Sequence, residues 1–270
     1  YKRQIRWWPS PNRWRAWSWP SLSLRPIRRA ASSEPGALYK AGSIPLCVPE
    51  MQGNEWKYVK ECLDTEWVSS AGKYVDLFEK NIAEYTGSKF AVACVNGTSA
   101  LQVSLRLAGV QPEDEVIVPT LTFIAPVNAV TYNGGTSVFM DADEYYNIDI
   151  MKTIDFIQKQ TYFKDDATYN KITNKRISAI VPVHVWGNAA WLDKLIPLCQ
   201  ERNISVVEDA SESFGTIYNE GLFSGKHTGT IGGTQRQSLH ALSLRYSTTP
   251  TIVCSVLPTS SASPRPPAKP

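Results

Sequence analysis

Residues 206 to 215 read VVEDASESFG, and they pose the first chemical question. An apolar strand around Ile204–Val207 ends on two adjacent carboxylates, Glu208 and Asp209. A carboxylate at the inner end of a buried strand is costly unless something pairs with it. A core Arg or Lys, or a helix N-terminus, would serve. So would the protonated ring nitrogen of a bound heterocycle, which an ionised Asp209 would keep protonated and so electron-withdrawing. Two further strand ends carry notable residues. Asn96-Gly97-Thr98-Ser99 lies between a strand and a helix, where free N–H groups suit a phosphate, although a plain capped turn would look the same. Phe123 follows VPTLT and is either a core residue or a stacking surface for a flat ring. Neither a GK[ST] nor a GxGxxG fingerprint is present.

These groups need a scaffold, and the spacing of apolar residues supplies one. NEWKYVKECLDT, capped by Asn54, predicts a helix with Trp56, Val59 and Leu63 on one side. A second helix over 74–85 places Val75, Phe78, Ile82 and Tyr85 together and stops at Gly87. FAVACV, EVIVPTLTF, TSVFMD, RISAIVPVHVWG and ISVVEDA read as strands. Helices are expected between them: one through Leu101, Leu105 and Ala108, then near 125–133, 149–160 and 190–202. Residues 165–175, DDATYNKITNK, read as a solvated loop. Strands apolar on both faces alternating with helices predict an α/β domain with a mostly parallel sheet sandwiched by helices. In such sheets ligands gather at the carboxyl ends of strands.

Composition bounds the alternatives. The chain has 270 residues, 43% of them hydrophobic, and net charge +3. No run approaches the roughly 18 apolar residues of a membrane span. Cys47, Cys62, Cys94, Cys199 and Cys254 form no CxxC and read as reduced thiols of a cytoplasmic protein. His184, His227 and His240 lack metal-ligand spacing. The ends differ from the middle. Residues 1–40 carry seven Arg and two Lys against Glu34 alone, and residues 234–270 carry four basic residues and no acid. The first of these segments could be a nucleic-acid arm, a transit peptide, or sequence never selected to fold. Its prolines break every candidate helix, which favours the last reading. The organisation expected is therefore 1–42, a basic Trp/Arg/Pro-rich segment, disordered or out of frame; 43–233, the organised domain; and 234–270, a Ser/Thr/Pro-rich tail, also disordered or out of frame. Nucleic acid and membrane are not expected partners.

The motifs IPLCVPEMQGNEW, TEWVSSAGKYVDLFE, VNGTSAL, VIVPTLTFIAPVNAV, FMDAD, VPVHVWGN and VVEDASESFGT, in this order, resemble the DegT/DnrJ/EryC1/StrS family of pyridoxal-phosphate (PLP) sugar aminotransferases. The nearest likeness is to its nucleotide-sugar branch, including legionaminic-acid-type pathways. The resemblance covers about Ile44 to Gly232. It implies the large domain of an aspartate aminotransferase-like PLP transferase, with the small C-terminal domain missing. It also implies a homodimer with sites at its interface, an amino-acid donor (glutamate), a keto nucleotide sugar as acceptor, and a role in surface polysaccharide synthesis. By the same likeness Gly97, Thr98 and Ser99 would cradle the coenzyme phosphate, Phe123 would stack on its ring, and Asp209 would bond the ring nitrogen. Glu212 would lie near the ring hydroxyl, where many members carry Gln. Trp67, Ser69 and Gly72 would belong to the substrate side. His184 would lie near cofactor or substrate, or serve as a structural histidine bonded to backbone.

One expected residue is absent. The family's Schiff-base lysine would fall near position 243, where this chain has Ser243. Beyond Asp209 the only lysines are Lys226 and Lys269, and neither matches the motif. The resemblance therefore implies a chain that binds but does not turn over. Two other readings stay open. One is a non-catalytic PLP-binding or dimerisation module. The other is a related sugar dehydratase using histidine instead, for which His240 stands near the position in surroundings that do not match.

Overall fold

The computed structural model describes residues 53–69 and 71–232, together with the backbone of 237–243 and 252–258. The basic segment 1–42 lies outside the described residues, as do Cys47 and the side chain of Cys254. The described residues fall into two compact units, one ending at Ser69 and one starting beyond it. In the first, helix α1 (Glu55–Asp64) forms as its spacing predicts, but Asn54 makes no side-chain cap and no residue of the helix is buried. Trp56, Val59 and Leu63 are all exposed.

The second unit opens with α2 (Lys73–Thr86), which ends on Gly87 in the left-handed conformation that glycine adopts freely. Strand β1 (Ala91–Cys94) leads into α3 (Gly97–Leu107). Then follow β2 (Glu115–Pro119), α4 (Ile124–Tyr132), β3 (Thr136–Met140) and α5 (Ile150–Lys159). The chain continues through β4 (Thr161–Lys164), β5 (Ala167–Asn170), β6 (Arg176–Ile180), α6 (Leu195–Glu201) and β7 (Ser205–Asp209). Backbone strands β8 (Gln237–Ser243) and β9 (Ile252–Pro258) complete it.

The sheet order is β1-β9-β8-β7-β6-β2-β3, with the β4–β5 hairpin attached to β6. Strands β8, β7, β6, β2 and β3 run parallel; β9 is antiparallel to both neighbours. Strand β1 therefore points the same way as the parallel set, and the carboxyl ends of β1, β2, β3, β6, β7 and β8 share one edge. Two apolar layers sandwich the sheet. Ala100, Leu101 and Leu105 of α3 and Ala129 and Val130 of α4 pack on Val116, Val118, Ala179 and Val207. Ile150 and Ile157 of α5 and Leu195, Leu198 and Cys199 of α6 pack on Ile117, Ile180 and Val206. Alternate strand residues thus feed opposite layers, as the pleat requires.

Two expectations change. Residues 165–175 are not all loop: Lys164 pairs with Ala167 across Asp165 and Asp166. Those two acids have φ of 49° and 59°, the double left-handed turn that closes a tight hairpin, which Asp tolerates. Helix α6 is shorter than 190–202, because Pro197 lacks an N–H and sits comfortably only in a first turn. Of the segment 234–270, the backbone of QSLHALS and IVCSVLP is described, as strands, and the remainder lies outside the described residues. Seven residues are too few to display a sustained period, but enough to pair with β7 and β1.

Candidate active site

The pleat separates the two adjacent acids of β7. Glu208 follows Val206 to the α5/α6 side, and Asp209 follows Val207 to the α3/α4 side. Glu208 is fully buried and saturated by donors. It accepts from His184 Nε2 at 3.0 Å, Gly229 N–H at 2.9 Å, Ile231 N–H at 2.7 Å, and also Gly232 N–H. His184 is itself fully buried, and its Nδ1 accepts from Ala190 N–H at 3.0 Å. The proton therefore sits on Nε2, and both ring nitrogens are engaged within the fold. These two bonds tie residues 184–190 to β7; a substrate contact of His184 remains a sequence expectation.

Asp209 is only 5% exposed, and its Oδ1 accepts from the Ser211 N–H at 3.1 Å and the Ser211 hydroxyl. Among the described residues no Lys or Arg forms an ion pair with it. Burial pushes its carboxyl above the usual range; the Ser211 bonds and nearby His184 pull it back, while Glu212 pushes it further up. The core cation that the sequence left open as a partner is not present among the described residues.

Helix α3 begins on the face toward which Asp209 points. Asn96 caps it by accepting from Ser99 N–H at 2.9 Å, and Ala100 N–H is bonded to Asn96 O. Gly97 and Thr98 occupy the first turn, where a helix provides no acceptor for N–H groups and presents its positive dipole end. Phe123 takes the N-cap position of α4 with no side-chain cap, and the residue is 61% exposed, so it is not a core residue. Beside it Thr122 Oγ1 is buried without a hydrogen-bond partner in the described structure, a feature with no sequence signal. Glu212 accepts from Trp186 N–H at 2.7 Å.

Trp67 and Ser69 belong to the other unit, and both are exposed there. Gly72 takes the N-cap position of α2. Ala241 is the register partner of Asp209 and His240 that of Glu208. Ser243, the last residue of β8, thus falls two positions past Asp209's partner, at the carboxyl edge of the neighbouring strand. No lysine lies in Gln237–Ser243. Both faces of β7 are apolar, so the direction of each acid, and hence the clamp role of Glu208, is readable only once the layers are assembled.

Comparison with known proteins places this arrangement. Residues 49–244 match the model of the DegT/DnrJ/EryC1/StrS aminotransferase family. The GDP-perosamine synthase of Caulobacter vibrioides is 40% identical over 189 residues, covering 70% of this chain and 46% of that protein. EpsN of Bacillus subtilis, named for a pyridoxal phosphate-dependent aminotransferase, is 32% identical over 190 residues, covering 70% of this chain and 45% of that protein. A DegT DnrJ EryC1 StrS aminotransferase from Brucella abortus superposes with a TM-score of 0.63 at 25% identity, over 75% of this chain and 51% of that one. The chain spans about half the length of the relatives it matches. With the family's motifs covering most of its residues and the family's fold beneath them, the chain belongs to the DegT/DnrJ/EryC1/StrS aminotransferase family.

Proposed function

We propose that this chain carries the coenzyme-binding half of a PLP-dependent sugar aminotransferase. In the intact reaction an amino group would move from an amino acid, glutamate, to a keto nucleotide sugar for surface polysaccharide synthesis. The observation that carries the reading is Asp209: a buried carboxylate on the α3/α4 side, without a Lys or Arg partner among the described residues. A ring N–H⁺ is the donor its environment lacks. The GDP-perosamine synthase likeness supports a GDP-linked hexose as acceptor.

When bound, the coenzyme supplies an electron sink through which an amino group can pass between carbon skeletons. The chain's own residues divide the binding work. Gly97 and Thr98 offer first-turn N–H groups, and Ser99 a hydroxyl, to the phosphate. Phe123 offers an exposed ring face to the heterocycle. Asp209 accepts the ring nitrogen's proton bond and fixes the charge there, while Ser211 orients the acceptor. Glu212 stands beside them with its carboxylate held by Trp186 N–H. Trp67, Ser69 and Gly72 remain candidates for the substrate side, and the working form is a cytoplasmic homodimer.

Proton movement between substrate carbon and coenzyme needs a lysine, and the β8 end that should supply it carries Ser243. This chain therefore binds without turning over. That same absence favours the second reading, a non-catalytic coenzyme-binding module. Titrating the purified chain with pyridoxamine phosphate and with PLP, followed by absorbance and calorimetry, tests both. The expected result is saturable binding of each with the spectrum of unlinked coenzyme, and no product from glutamate and a keto sugar. No binding of either would remove the site assignment. A covalently linked spectrum, or turnover, would remove the assignment of inactivity.

A further inference from the structure

Two exposed aromatic residues beside the site have no role in what precedes. Tyr146 follows β3, and Trp186 sits in the short 3-10 turn Val185–Gly187 that follows β6. Because β3 and β6 flank β2, these two loops straddle the loop that carries Phe123. Both residues hold left-handed backbone, φ 68° at Tyr146 and φ 52°, ψ 26° at Trp186. That conformation is uncommon for bulky side chains and strains the backbone at both positions. Both residues nevertheless remain outside the core, 49% and 60% exposed. They meet edge to face, with centroids 5.0 Å apart at 66°.

The surrounding bonds hold that geometry. Asn147, itself buried, accepts from Val185 N–H at 3.0 Å and donates to Asn188 O at 3.2 Å, tying one loop to the other. Trp186 N–H donates to Glu212, and Glu212 lies close enough to Asp209 to bias its charge. The fold thus maintains two strained aromatic residues at the sheet's carboxyl edge, coupled by one side chain to the candidate reaction centre, without burying either ring.

We propose that the Tyr146–Trp186 pair is the platform on which the apolar face of the acceptor's hexose ring rests. This rests on the reading of the site given above. The choice of hexose over base follows from position: Glu212 joins the pair to Asp209, and the part of the substrate that must reach Asp209's neighbourhood is the carbonyl-bearing sugar. An aromatic face packs against the C–H face of a pyranose while the hydroxyls at the rim stay available for hydrogen bonds.

Calorimetric titration of the full chain, loaded with pyridoxamine phosphate, with GDP-mannose and with GDP isolates the hexose contribution. Wild type should bind GDP-mannose roughly tenfold more tightly than GDP, in line with single aromatic contacts. Trp186→Gly, which suits the left-handed backbone, should bring the two affinities within about twofold while leaving GDP binding and the unfolding temperature intact. Trp186→Phe should keep most of the preference. The proposal falls if Trp186→Gly leaves the preference unchanged, or weakens GDP and GDP-mannose alike, which would assign the pair to the base. It also falls if that variant unfolds, changes the sedimentation state, or if wild type shows no preference. Loss of pyridoxamine phosphate binding in wild type would instead overturn the site reading itself, and the separate coenzyme titration distinguishes the two failures.

Discussion

Glu208 and Asp209 are neighbours on one strand and both are buried, yet the two sides of the sheet treat them differently. On the α5/α6 side Glu208 meets four protein donors, and its carboxylate is a structural clamp. On the α3/α4 side Asp209 accepts only from Ser211 among the described residues, and only at Oδ1. The same chemical group, one residue apart, is consumed by folding on one face and, in the proposed reading, kept for the coenzyme on the other. A buried acid is thus informative only together with its list of donors.

Removing the clamp should have the largest effect. Glu208→Ala leaves three backbone N–H groups and His184 buried without their acceptor, and should cost about 4 kcal/mol in chemical denaturation. An unchanged midpoint would mean the carboxylate does not hold the 229–232 loop. Next comes Gly232→Ala. A Cβ there would sit 2.7 Å from Val206 O and 3.1 Å from Glu208 Cγ, so about 2 kcal/mol should be lost to overpacking of the closed side. The same measurement on Gly87→Ala would report only the left-handed backbone, since a Cβ there meets nothing within 4 Å.

Asp209→Asn should act in the opposite sense on stability. The folded carboxyl is raised above its unfolded value, so the native state holds the proton more tightly. Stability therefore falls as pH rises from the unfolded pKa through the folded one, and the full penalty applies above it. The variant retains an acceptor for Ser211 and carries no charge. It should be about 1 kcal/mol more stable at neutral pH, lose the downward slope of unfolding temperature above pH 4, and bind pyridoxamine phosphate about 10- to 100-fold more weakly. A destabilised Asn variant would mean that Asp209 is a second clamp and that the contrast with Glu208 is false. The smallest effect is chemical. Burial in the closed layer pushes the Cys199 thiol up to about 12, so peptide mapping after brief alkylation should find it unmodified in the native state and labelled only on unfolding. The half-buried Cys62 and Cys94 should label first.

Much of this fold was legible because strand and helix periods alternate cleanly between residues 74 and 209. Boundaries slipped where a single residue decided the outcome: Pro197 shortened α6, and the pair Asp165-Asp166, which reads as solvated, closes a hairpin. In the site, the strand-end positions of Asp209, Phe123 and the Asn96–Ser99 turn were readable from sequence. The split between Glu208 and Asp209 was not, because Val206 and Val207 are equally apolar and only the assembled layers tell the faces apart. His184 is a further case: residue type said nothing of its partners, and only the fold shows the Ala190 N–H at Nδ1 and the Glu208 carboxylate at Nε2.

The placement of β9 has a consequence for how the molecule assembles. Among the described residues, 91–94 join the sheet only through residues 252–258, more than 150 positions later in the chain. Closing so long a separation is slow, so the edge carrying the Asn96–Ser99 turn should be the last to lock. During synthesis the short strand ahead of that turn would wait as an unpaired edge, and any chain ending before residue 252 would present it to neighbours as a template for misassembly.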